Sequence, residues 1–179
     1  MKKIITAFMA SASLFSAQAA YATTYTPAGN WTFQGMVTVQ KGSGPILNCL
    51  ATATFVVPEA APDAHGAGSH GHMLTGPTNL SIGPGDAGCA TIRIVSNPHS
   101  SSSTTSATGQ DPVVINNVDV DTTITPGDCF GNLAATVVPG APPGLEVDTI
   151  LPAVVAGTGD CTIIGTLDLL SPVGGSVTP

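Results

Sequence analysis

Positive charge is the scarcest thing in this chain: four Lys and Arg stand among 179 residues, against eleven Asp and Glu. Lys2 and Lys3 take two of the four, so Lys41 and Arg93 are the only basic side chains beyond the opening segment. From residue 23 onward, two basic against eleven acidic residues give a formal charge of −9. A chain this acidic has no electrostatic footprint for nucleic acid or for anionic lipid. Charge of either sign is also thin, at 8% of residues where about 25% is usual. Much of the surface must then be Thr, Ser, Gly, Asn and aliphatic side chains, as in adhesins, fibre subunits, surface-active secreted proteins or a plain low-charge secreted β-protein. One Trp and two Tyr leave little for a sugar-stacking cleft, which counts against a glycosidase. No stretch past the opening segment sustains three-four apolar spacing, so helices are not expected.

The opening segment has its own character. Lys2 and Lys3 precede a short apolar run from Ile4 to Phe15, and Ala20-Tyr21-Ala22 forms a small-x-small cleavage site, with Ala17-Gln18-Ala19 as a competitor. Residues 1–22 read as a secretory signal peptide. The run is too short, and too interrupted by Ser and Thr, for a membrane span. The expected product is a single secreted β-domain over 23–179, exported through a Gram-negative periplasm and not membrane-spanning. Its 157 residues are enough for one domain with a real core.

Strand signals are frequent. Trp31, Phe33, Val37 and Val39 share one face, with Thr32, Gln34 and Thr38 on the other; Cys49, Ala51, Ala53, Phe55 and Val57 alternate likewise. Thr91 to Val95, Val113 to Ile124, Leu133 to Val138, Leu145 to Leu151 and Cys161 to Leu170 continue the pattern. About seven to nine short strands separated by Gly/Pro turns imply an all-β fold, an antiparallel β-sandwich or barrel. Residues 58–88 and 96–110, rich in Gly, Pro, Ala and Ser, read as mobile loops.

Cys49, Cys89, Cys129 and Cys161 form an even set in an exported chain, the signature of disulfides. No two are closer than 32 residues, so the short paired spacing of zinc motifs is missing. Three pairings exist; Cys49–Cys89 with Cys129–Cys161 is favoured, since each links consecutive parts of a meander without crossing. Three of the cysteines follow a Gly-Asp turn formula, at Gly85-Asp86, Gly127-Asp128 and Gly159-Asp160. The Asp side chains are expected to cap those turns by bonding their own nearby backbone.

Candidate chemistry is sparse. His65, His70 and His72 lie in a Gly-rich stretch where imidazoles could chelate Cu(II), Ni(II) or Zn(II); a solvated loop explains them as well. Ser69, in Ala67-Gly68-Ser69-His70-Gly71, lacks the first Gly and the following helix of a nucleophile elbow. Asp119 and Asp121 face one side of a strand and Asp128 follows, a set that could hold Ca²⁺ or simply line a solvated edge. His99 stands alone beside a Ser run, and no Gly-rich phosphate loop appears. No catalytic residue, no cofactor and no enzyme activity are expected.

Three motifs carry a resemblance: Tyr-Thr-Pro-Ala-Gly-Asn-Trp-Thr-Phe-Gln-Gly at 25–35, Ile-Leu-Asn-Cys at 46–49, and Cys-Thr-Ile-Ile-Gly-Thr-Leu at 161–167. Over residues 25–170 the chain resembles the PraB-type secreted activators of alkane oxidation from hydrocarbon-degrading Gram-negative bacteria. The resemblance implies a non-enzymatic exported factor that promotes use of insoluble hydrocarbon, and it brings no catalytic residues. Its partner would be a hydrocarbon or cell-surface interface. The alternative is a self-assembling fibre, pilus-like or biofilm-matrix subunit, whose partner is copies of itself. The span from Trp31 to Cys49 resembles the start of pilin-like subunits, but the end, Leu169 to Gly175, lacks their closing aromatic.

Overall fold

The computed structural model describes residues 23–59, 73–95, 101–103, 110–122 and 127–178. Eleven strands form: β1 (Thr24–Thr26), β2 (Gly29–Lys41), β3 (Leu47–Val57), β4 (Thr75–Gly85), β5 (Ile92–Ile94), β6 (Ser101–Ser103), β7 (Asp111–Thr122), β8 (Cys129–Val138), β9 (Gly144–Leu151), β10 (Cys161–Ser171) and β11 (Ser176–Thr178). A single 3₁₀ turn, Ala87–Thr91, joins β4 to β5.

Two antiparallel meanders, β2–β3–β4 and β7–β8–β9–β10, are joined by antiparallel pairing of β10 with β2. β5 and β6 lie one after the other along β7, and β4, the opposite edge, runs beside both. The sheet thus curls until its two edges nearly meet, as a barrel that lacks only one ladder of hydrogen bonds. The period-two pattern drives this closure. Trp31, Phe33, Val37 and Val39 of β2, Val113, Ile115, Val118 and Val120 of β7 and Leu145, Val147 and Leu151 of β9 point inward and are buried, while Thr, Gln, Asn, Asp and Glu alternate outward. A polar exterior over a packed apolar interior is the reverse of a membrane barrel's pattern. Among the described residues no helix is long and apolar enough to cross a membrane.

Gly35 and Gly165 mark a close approach of two backbones, where β2 meets β10. A Cβ on Gly35 would lie 2.2 Å from the Thr166 carbonyl oxygen, and one on Gly165 would lie 2.6 Å from that of Met36. Only glycine lets the two backbones come so close.

One end of the barrel is closed by aromatics. The ribbon of β1 and β11 buries Tyr25 and Val177, and Tyr25 meets Trp31 edge-on at 5.4 Å, with Phe33 and Phe55 continuing the row. The Thr23 and Tyr25 hydroxyls donate to the buried Asp111 carboxylate at 2.8 and 2.7 Å, fastening the ribbon to the start of β7. The half remote from the ribbon carries the disulfides, Cys49–Cys89 in the first meander and Cys129–Cys161 in the second. The bridges are therefore sequential, as favoured.

Three expectations change. The excursion expected over 58–88 is shorter, because Thr75–Gly85 is strand β4, paired with β3. Within 96–110, Ser101–Ser103 is strand β6. Nor do the turn aspartates bond mainly to their own turns: the Asp86 carboxylate accepts from the Asn48 backbone N–H on β3 at 2.8 Å, and Asp160 accepts from the Ala153 N–H at 2.9 Å. Each ties its turn to a neighbouring segment, a reach that spacing along the chain does not reveal.

Candidate functional site

The barrel interior is filled. Among the described residues its voids are small: one of about 30 Å³ is lined by apolar atoms of Val37, Ala51, Leu80, Ile115, Leu145 and Ile163 among others, and one of about 20 Å³ lies beside Val39, Leu47 and Ile92. Ligand pockets run to roughly 300–1,000 Å³, so the interior holds side chains rather than a guest. Function has to be sought on the outside.

There the register assembles a feature that no single strand carries. Met36 on β2 faces outward directly across from Leu50 on β3. Ile164 on β10 sits opposite Thr38, two residues along from Met36, and so lies diagonally next to it. Ile164 is in turn opposite Asp148 on β9, which places Ile150 on the next diagonal. Phe130 on β8 bonds through its N–H to the Pro152 carbonyl at 3.0 Å, which sets its ring diagonally beyond Ile150. Diagonal neighbours on one sheet face are within reach of long side chains. Leu50, Met36, Ile164, Ile150 and Phe130 thus form an oblique apolar stripe across five adjacent strands. Met36, Ile164, Ile150 and Phe130 are 50, 48, 63 and 47% exposed. Thr38, Gln40, Thr162 and Thr166 flank the stripe, with Glu146 and Asp148 along one side. The single described lysine, Lys41, is buried, with its ammonium donating to the Gly127 carbonyl at 2.8 Å.

At its Phe130 end the stripe meets an open groove of about 480 Å³, lined by Asp119, Asp128, Phe130, Pro152, Ala153 and Val154. Asp119 on β7 sits opposite Phe130. Burial, then the neighbouring carboxylates of Asp128 and Asp121, pushes the Asp119 carboxyl above its ordinary value.

The sequence candidates are distributed as follows. The four cysteines form the two bridges. Asp119 and Asp121 do share a face, yet among the described residues no group of three His, Cys, Asp or Glu could hold a metal ion, so of the two readings of these aspartates the calcium set finds no support. His65, His70 and His72, with Ser69 and His99, lie outside the described residues. The stripe escaped a reading by alternation, although a signal existed. Met36-Val37, Cys49-Leu50, Ile150-Leu151 and Ile163-Ile164 each break the period of two, so one member of each apolar doublet must face water.

No curated protein and no solved structure matches the chain. A family model does match, over residues 1–178: that of the alkane oxidation protein activators, PraA/PraB-like. The match spans the leader-like segment, both meanders and both ends of the stripe. The chain belongs to the PraA/PraB-like family of alkane oxidation protein activators.

Proposed function

We propose that this protein is an exported, non-enzymatic factor that promotes contact with insoluble hydrocarbon by adsorbing through its outer stripe. The observation that carries this reading is the alignment of Leu50, Met36, Ile164 and Ile150 across four strands with no basic residue among them. Full burial of a Met or Ile side chain is worth about 1.5–3 kcal/mol relative to exposure. With roughly half of each surface exposed, Met36, Ile164 and Ile150 together contribute about 2.5–5 kcal/mol on meeting an oil phase. The filled interior and the family's description as activators both support a role without catalysis. The two disulfides support an oxidising compartment, and also a fold that survives at an interface where less constrained domains spread. Nothing in the geometry favours the fibre reading: the two sheet edges that stacking would use lie beside each other.

The test is the tension of a hexadecane–water interface with micromolar purified protein. The native chain lowers the tension, and Ile150→Thr with Ile164→Thr blunts the effect. Unchanged tension with the native chain, or an equal effect from the double variant, overturns the proposal.

A further inference from the structure

Thr23, the residue that follows the cleavage site Ala20-Tyr21-Ala22, is buried and held in place by its side chain. Its hydroxyl donates to Asp111 Oδ1 at 2.8 Å, and the Tyr25 hydroxyl donates to Oδ2 of the same carboxylate at 2.7 Å. Asp111 opens β7 and is 1% exposed. From Thr24 onward the chain pairs with β11, Thr24 against Thr178. Only three bonds separate the Thr23 main-chain nitrogen from its hydroxyl oxygen, which places that nitrogen within about 6.5 Å of the Asp111 carboxylate. A charge carried by that nitrogen would act on the carboxylate at close range. The competing cleavage site, Ala17-Gln18-Ala19, would leave Ala20-Tyr21-Ala22 ahead of Thr23.

We propose that cleavage after Ala22 creates an α-ammonium at Thr23 that docks on the Asp111 carboxylate. The contact latches the ribbon of β1 and β11 to β7, over the aromatic end of the barrel. This inference rests on the export proposed above and is independent of adsorption to oil. The cut is a hydrolysis by a leader peptidase. Water adds across the Ala22–Thr23 peptide bond, the carboxylate leaves with Ala22, and the amine of Thr23 keeps the proton. Before the cut this nitrogen is a neutral amide with one N–H; afterwards, at neutral pH, it carries a positive charge and three. Charge-assisted hydrogen bonds are roughly twice as strong as neutral ones, so the latch tightens only once the leader is gone. A chain starting at Ala20 would carry its ammonium about 10 Å of backbone away and lose the contact. Asp111 thus selects between the two cleavage sites and ties closure of the barrel to export.

The test starts from the full chain, expressed in a Gram-negative host and purified after export. Intact mass is expected to give a product that begins at Thr23. A second version carries one glycine inserted between Ala22 and Thr23, which keeps the ammonium but moves it one residue from Asp111; its start is checked by mass as well. In urea unfolding the insertion is expected to raise the unfolding equilibrium constant about tenfold, the loss of one charge-assisted hydrogen bond. In an Asp111→Asn background the insertion should make no such difference. A second measurement does not depend on that variant folding. An amine-acetylating ester should modify the Thr23 α-amine about tenfold more slowly than the inserted glycine's, since a neighbouring carboxylate holds the amine in its unreactive protonated form. Mass spectrometry of the first peptide reads both rates. A product that begins at Ala20, an insertion without effect, an equal effect in Asp111→Asn, or equal acetylation rates would each overturn the latch and leave export standing. A product that keeps Met1 would overturn export and the latch together.

Discussion

Replacing Tyr25 by phenylalanine removes one hydroxyl from the interior and leaves its ring in place against Trp31. The hydroxyl donates at 2.7 Å to Asp111, which is fully buried at the start of β7. A hydrogen bond to a charged partner contributes about 1.5–3 kcal/mol, so Tyr25→Phe is expected to lose that much stability at pH 7. The same bond makes a second, sharper prediction. Burial first, then the hydrogen bond and the charge of Asp111, push the Tyr25 phenol far above its ordinary value of 10.0. Above pH 10 the unfolded chain releases the phenolic proton while the folded chain keeps it. Stability present below pH 10 is therefore lost as pH rises, at up to about 1.4 kcal/mol per pH unit. Urea unfolding followed by Trp31 fluorescence, at steps from pH 7 to pH 11, reads both effects. Protein spanning residues 23–179, in which Tyr25 is the one tyrosine, should weaken above pH 10, with tyrosinate absorbance appearing only on unfolding, and Tyr25→Phe should lack that slope. Equal stability of the two at pH 7, or parallel alkaline slopes, would refute the role given to this bond.

Removing either bridge by paired Cys→Ser substitution opens a closed loop of 40 or 32 residues, and each should cost about 3–4 kcal/mol in chemical denaturation. Gly165→Ala puts a methyl 2.6 Å from the Met36 carbonyl oxygen and 2.8 Å from Val37 Cα; it should lose about 1–3 kcal/mol in thermal unfolding. Asp119 carries a raised folded pKa, so stability it contributes when protonated is lost as pH rises through that value. Asp119→Asn is therefore expected to stabilise the protein at pH 7, with the gain vanishing below the ordinary aspartate pKa of 3.8.

The strands most legible in the sequence are those with one buried face, where Trp31-x-Phe33 and Cys49-x-Ala51-x-Ala53-x-Phe55 state the period of two outright. The bridges were legible because each joins cysteines consecutive in the chain and within one meander: Cys49 on β3 with Cys89 in the turn after β4, and Cys129 on β8 with Cys161 on β10, one strand apart. Strand β4 was hidden by Gly76, Pro77, Gly83, Pro84 and Gly85, residues tolerated because β4 lies at the edge of the sheet, where a missing N–H breaks no second ladder. β1 and β11, three residues each, are too short to show a period. They form because Tyr25 finds Trp31 nearby and Asp111 86 residues along the chain. The stripe was the least legible. Each strand contributes one outward apolar residue, and their adjacency depends on the register of four ladders. A slip of one residue would turn Met36 or Ile164 inward.

Methionine oxidation on hexadecane droplets tests the central claim most directly. Met36 lies in the stripe and is 50% exposed; Met73, 47% exposed, precedes β4 on the ribbon side of the barrel. In solution a mild oxidant should convert both to the sulfoxide at similar rates. On droplets the account predicts that Met36 is protected while Met73 continues to react, as read by mass spectrometry of each peptide. Equal protection of the two, or continued oxidation of Met36 on the adsorbed protein, would contradict it.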